Sequence, residues 1–403
     1  MLKTENLLVL VLVVLFGCSN PNAEKKVEIK KDSVEAEIAI AKVDTVKKDA
    51  VVMIPTNDTL NAMANIMAGI KDSSTLYHFV QASSDFKNFS RTFDKRWSAF
   101  DSTRLNNLRK FKENELSKIV KRQTTLFYPF SGPDVLYSQT FFPAADNYVM
   151  IGLEPVGSFP TFIEEEKDSL DLYFSKVNTS LNAILKFSFF RTESMSKDLK
   201  NEEVDGTLHL LFLFLKRTKN NFCSAKPITV DSLGNIKFAS TFEALKKTKT
   251  NTRGIEIQFL DAHQQLKKLH YFSLNAADGG LKYNKGFRAY LNNMGTVNTY
   301  LKGASYLMHK NYFSMIRHVI LNQSQQIIQD DSGIALHYFL EDSHQWDFNF
   351  YGKYVKPIPM FSAFYQKDLD SLYILKGAIP IGFGIGYNFK DKSSNMMIAS
   401  KKM

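Results

Sequence analysis

Two cysteines, Cys18 and Cys223, are all that 403 residues contain, so no disulfide framework holds this chain and its stability must come from a packed core. Long apolar runs are missing as well. The run from Leu7 to Phe16 is ten residues, half of the roughly 20 that a bilayer-spanning helix needs. Aromatic residues are absent from Ser19 to Asp58, which leaves that stretch with little to bury. The eight histidines show no H-E-x-x-H or other tight ligand spacing, and Cys223 has no C-x-x-C partner, so the sequence holds no zinc signature. The G-x-S-x-G turn of serine hydrolases is missing too.

What is present begins with an address. The apolar run has the length of a signal-peptide core and ends in Leu15-Phe16-Gly17-Cys18. That ending resembles the lipobox of bacterial lipoproteins, in which a small residue precedes a cysteine that receives a diacylglycerol, and the leader is cut before it. The resemblance implies a leader over residues 1–17 and lipidation of Cys18, which would hold the mature chain to a bilayer in the bacterial cell envelope, with the outer membrane as the expected destination. Acyl chains contribute about 0.8 kcal/mol per buried methylene, enough in combination for firm attachment.

Residues 18–57 read as a flexible tether, because "EKKVEIKKDSVEAEIAIAKVDTVKKD" mixes seven lysines with seven acids and few bulky apolar groups. The formal charge of +10 therefore lies almost wholly in residues 58–403. Its lysines are dispersed, and the densest run, Leu245 to Arg253, reads as a solvated loop. With a lipid anchor, no nucleic-acid partner is expected; the partners expected are the bilayer and an envelope protein or polymer.

The body is 44% hydrophobic and 13% aromatic over the whole chain, sufficient for a large core. Helical spacing predicts a helix after Asn57 or Asp58, another from about Arg96 to Lys121, and a third from about Lys167 to Phe187. "LHLLFLFL", Leu208 to Leu215, is apolar all round and fits a buried helix or a central strand. Period-two alternation predicts strands in "RGIEIQFLDA", "KLHYFSL", "WDFNFYGKYV" and "SLYILKGAIPIGFGIGYNF". The pattern predicts an α/β or α+β fold: a mixed sheet or sheets flanked by helices, open to division into two related halves or two packed lobes meeting near 220–255.

Two stretches stand out for chemistry. In Thr124 to Gly157 a strand ends at Phe130, Ser131-Gly132-Pro133-Asp134 makes a turn and helix start, and a second strand ends at Glu154. A phosphate cradle is not indicated, because the turn offers one glycine, a proline without an amide proton, and an acid. In Thr299 to Leu340 a strand is expected to reach Met308, and after a helix a second strand ends in Asp330-Asp331. If the two units share a sheet, Asp134, Glu154, Asp330 and Asp331 could converge with Ser131 on one cleft. Such carboxylates would bind a divalent cation or act as an acid and base pair, with His337 or His344 as a proton carrier. The same residues also suit plain helix capping and turn chemistry. The three glycines from Gly382 to Gly386 fall on one face of the expected strand, which implies close approach of another backbone or a ring.

"YPFSGPD", "GLEPVG" and "QDDSG" are similar to landmarks of a family of uncharacterised bacterial exported proteins and lipoproteins. That resemblance spans roughly Thr124 to Phe361 and implies no activity. Two functions remain open on the sequence: a binding or envelope-assembly module, and a carboxylate-dependent, metal-assisted hydrolase.

Overall fold

The structure, a computed structural model, describes residues 54–160, 168–186, 206–247, 252–390 and 393–402. The expected leader, Cys18 and most of the expected tether lie outside the described residues. Residues 53–403 form one compact unit. Among the described residues, no helix is long and apolar enough to cross a membrane.

Ten strands make one mixed sheet: β1 Thr125–Tyr128, β2 Asn147–Gly152, β3 Asn221–Val230, β4 Ile236–Phe238, β5 Arg253–Leu260, β6 Leu266–Ser273, β7 Val297–Leu301, β8 Ser324–Gln329, β9 Trp346–Gly352 and β10 Asn395–Lys401. Their order is β4-β3-β5-β6-β2-β1-β7-β8-β10-β9. The middle five, β6-β2-β1-β7-β8, run parallel, and antiparallel strands extend the sheet on both sides. The stretch near 220–255 belongs to this continuous sheet, as β3, β4 and the start of β5, so no boundary between lobes falls there among the described residues.

The sheet is buried on both faces, as parallel strands require. Alternation along each strand sends Tyr128, Tyr148, Met150 and Tyr300 to one apolar layer and Phe127, Val149, Ile151 and Ile327 to the other. The first layer is covered by Asp58–Met67, the rod beginning at Ser84, Val135–Phe141, Asp168–Lys186 and Leu208–Arg217; the second is covered by Lys285–Asn293, Ser314–Gln323 and Lys367–Leu375. The result is a three-layer α/β sandwich.

Local chemistry explains the helix starts. Asn57 caps the first helix by accepting from the Leu60 amide at 3.0 Å. Ser83 does the same for Phe86 at 3.1 Å, so the second helix begins at Ser84, twelve residues ahead of the expected Arg96. Phe86, Phe89 and Phe93 extend its buried stripe upstream. Leu208–Arg217 is a helix: eight consecutive residues from Leu208 to Leu215 are buried, which is why its pattern lacked a period.

Two strand expectations are corrected. The strand expected to reach Met308 stops at Leu301, because Gly303, Ser305 and Tyr306 all take positive φ (59°, 53° and 52°) and turn the chain away from the sheet. The stretch from Ser371 to Phe389 is not a strand. Its first part completes the Lys367–Leu375 helix, with Leu369 and Tyr373 buried four residues apart, and the remainder pairs with the sheet at an isolated bridge between Ile379 and Tyr351. Two of the three glycines there mark close approaches, though not on a strand face: a methyl group at Gly384 would sit 1.5 Å from the Phe389 carbonyl oxygen and one at Gly386 1.9 Å from Asp330 Oδ2, whereas one at Gly382 would meet nothing within 4 Å among the described residues.

Candidate functional site

β1 and β7 are neighbours, yet the chain leaves them in opposite directions. From β1 it passes through Val135–Phe141 on one face to β2; from β7 it passes through Ser314–Gln323 on the other face to β8. Diverging connections at adjacent carboxyl ends open a crevice, the position at which open α/β sheets hold ligands. A cavity of about 560 Å³ lies there. Its floor comes from the ends of β1, β2, β6 and β7, and its walls include Phe130, Phe313, Phe361, Tyr387 and Phe389.

The loops that shape the crevice hold side chains in left-handed backbone conformations: Phe130 at φ 60°, then Ser305 and Tyr306 beyond β7. A residue other than glycine pays for that geometry, and the surrounding contacts must hold it. Phe130 packs edge-on against Phe313 at 5.7 Å, while Tyr306 packs on Phe361 and Phe364 at 4.9 and 5.1 Å. Tyr387 ties the β7 loop down, donating to the Gly303 carbonyl at 3.0 Å and sharing a hydrogen bond with Ser305 Oγ at 2.7 Å.

Asp134 and Lys302 form a buried ion pair in the cavity floor. Lys302 Nζ lies 2.5 Å from Asp134 Oδ2, and both side chains are 2% exposed. The Tyr128 hydroxyl donates to the same oxygen at 2.9 Å, and the Tyr137 amide to Oδ1 at 3.4 Å. Asp134 thereby caps the helix that starts at Val135, and Gly132 before it is left-handed (φ 52°). Lys302 also rests 3.3 Å from the centre of the Tyr137 ring. Burial pushes the Asp134 carboxyl up and the Lys302 ammonium down, and their mutual contact opposes both shifts.

Glu154 lines the same cavity and differs in one respect. It is 2% exposed, and its Oε1 accepts no hydrogen bond among the described residues. Its carboxylate folds back on the end of β2, where Gly152 makes room. A methyl group at Gly152 would stand 2.6 Å from Glu154 Oε2, 2.4 Å from Tyr271 Oη and 3.1 Å from Gly132 Cα. The "EPVG" that follows is fixed by the amides of Thr207 and Leu208, which donate to Pro155 and Val156 carbonyls at 2.9 and 3.0 Å.

The remaining acids sit elsewhere. Asp330 and Asp331 follow β8 and do not line the cavity. Asp330 Oδ2 accepts from the Gly303 amide at 2.9 Å, and Oδ1 accepts from the amide and hydroxyl of Ser332. Asp331 accepts from Tyr306 at 2.5 Å and Asn395 at 3.0 Å. Burial, then the charge of Asp331, pushes Asp330 up to about 7; burial also raises Asp331. The four carboxylates therefore do not share one cleft, because two close a turn one strand away. Ser131 lines the cavity, with its hydroxyl directed to the Gly132 carbonyl at 2.8 Å. His337 is exposed, packs on the Tyr338 ring and does not line the cavity. His344 bonds Asp342 at 3.1 Å and does not line it either. Among the described residues, no group of three or more His, Cys, Asp or Glu is placed to hold a metal ion.

Lys302, Tyr128 and the aromatic wall went unrecognised in the sequence. The signal for Lys302 is its position: a lone charge ending "VNTYLK", a strand whose five residues are all buried. Compared with known families and curated proteins, the chain matches no family model and no curated sequence.

Proposed function

We propose that this chain is a lipid-anchored binding protein of the bacterial cell envelope, held at the outer membrane through Cys18, whose α/β body takes a small organic molecule in the switch-point cavity. The observation that carries the binding half is the cavity itself: about 560 Å³, within the roughly 300–1,000 Å³ common for small-molecule sites, with apolar walls and a few fixed polar groups. The anchoring half rests on the resemblance of Leu15-Phe16-Gly17-Cys18 to a lipobox.

The hydrolase reading has less support from the same geometry. An acid and base pair needs two carboxylates free to exchange protons, whereas Asp134 is engaged by Lys302 and Tyr128, and of the lining acids among the described residues Glu154 alone keeps an unpartnered oxygen.

Thermal unfolding of the full chain against nucleotides, sugars, organic amines, carboxylates and divalent ions tests the binding reading. A ligand at 100 times its dissociation constant adds about 2.7 kcal/mol. The gain should vanish in Asn275→Trp, which places a large ring at an exposed position on the cavity rim. Stabilisation by a divalent ion alone, lost in Asp134→Asn and Glu154→Gln, would favour the hydrolase instead. For the anchor, metabolic labelling with palmitate should mark the wild type and not Cys18→Ser; labelling of both would refute lipidation at Cys18.

A further inference from the structure

We infer that the molecule held in the cavity carries an ammonium group on an apolar body, and that Glu154 receives that group. The inference rests on the cavity being a small-molecule site.

Among the described residues, three charged side chains line the cavity: Asp134, Glu154 and Lys302. Lys302 and Asp134 neutralise each other at 2.5 Å, so the charge left without an ionic partner among these lining side chains is that of Glu154. Arg104, whose charge reaches Lys302, does not line the cavity. Asp330 stands behind the Gly303 amide that lines it, which adds negative potential and no positive. An anionic ligand would meet an ammonium already engaged and a carboxylate that repels it. A cation meets the reverse.

The Glu154 carboxylate is also incomplete. A buried carboxylate oxygen without a donor is costly to maintain, and the cost is relieved when a donor arrives. Oε1 of Glu154 is such an oxygen among the described residues, while every carboxylate oxygen of Asp134, Asp330 and Asp331 accepts at least one hydrogen bond. Of the two acids that line the cavity among the described residues, Glu154 is the one left unfinished. Gly152 makes this possible, because a side chain there would displace the carboxylate from its place against β2.

The walls fit the same class of molecule. Phe130, Phe313, Phe361, Tyr387 and Phe389 surround the space, and aromatic faces attract an ammonium that has shed its water. A bare divalent cation is the poorer match, since it takes six or more oxygen ligands and the cavity offers one open carboxylate.

The test is a ligand-observed NMR titration of the full chain with three probes of one shape: 2-phenylethylamine, 2-phenylethanol and phenylacetate. The amine should bind roughly tenfold more tightly than either of the others, the discrimination expected of a charge-assisted hydrogen bond. In Glu154→Gln, which keeps the side-chain shape, the amine should fall to the level of the alcohol while the alcohol binds as before. Equal binding of amine and alcohol to the wild type, or tighter binding of phenylacetate, would overturn the ammonium inference and leave the small-molecule site standing. An amine preference that survives Glu154→Gln would overturn the role of Glu154. Binding of none of the three would count against both the inference and the site. The wild-type probe series stands by itself even if the variant does not fold.

Discussion

Past β1 the chain sets Asp134, and past β8 it sets Asp330 and Asp331, so two acidic turns occupy corresponding ends of neighbouring crossover units. In the first unit the acid caps a helix and binds a lysine that comes across from β7, in the floor of the cavity. In the second the acids bind backbone amides, a serine, a tyrosine and an asparagine, and close a turn outside it. Both sets are buried to about the same degree. What separates a working acid from a structural one is whether its acceptors are already occupied, and by that measure the cavity's open group is neither Asp134 nor Asp330 but Glu154, past β2.

The largest expected effect breaks the first unit. Lys302→Met leaves Asp134 buried without its cation and should cost about 3–5 kcal/mol in chemical denaturation. Lys302→Met with Asp134→Leu should recover most of it. A single-variant loss under 1 kcal/mol would show that the pair does not hold the crevice together.

The second effect separates the units by pH. Asp330 is pushed up to about 7 in the fold against an ordinary 3.8, so the folded chain holds that proton more tightly than the unfolded chain. The resulting stabilisation is full below pH 3.8 and is lost as the pH rises through about 7. Across that window the wild type should lose stability by up to about 1.4 kcal/mol per pH unit from this group, and Asp330→Asn should lose correspondingly less. Parallel stability curves for the two proteins would refute the assignment.

Gly152→Ala should cost about 1–3 kcal/mol, since the added methyl meets Tyr271 Oη, Glu154 Oε2 and Gly132 Cα at once. It should weaken 2-phenylethylamine more than 2-phenylethanol, because the carboxylate moves while the walls stay. At the small end, His337→Ala should shift stability by less than about 0.5 kcal/mol and leave probe binding unchanged, as expected for an exposed side chain outside the cavity.

The sandwich was legible where one residue type carried a local signal. Asn57 announced a cap, and the alternation in β5, β6 and β9 announced strands. It was illegible where tertiary contacts decide the matter. The eight buried residues from Leu208 have no polar face to reveal a period, and Tyr373 sits in a stretch whose alternation imitates a strand. In the site, local reading found Ser131, Asp134 and Glu154, each one or two residues beyond strand and turn signals. It did not find Lys302, whose partner lies 168 positions earlier, because only the adjacency of β1 and β7 brings the two together. Nor could it rank the acids: occupancy of an acceptor is a property of the folded surroundings, and Asp330 and Glu154 look alike in one dimension.

The most direct measurement of the central claim is a crystal structure of the chain with 2-phenylethylamine bound. The account predicts the ring among Phe130, Phe361 and Tyr387 and the nitrogen about 3 Å from the Glu154 carboxylate, with the Asp134 and Lys302 pair intact. A nitrogen directed to Asp134, with Lys302 displaced, or a molecule seated outside the cavity, would contradict it.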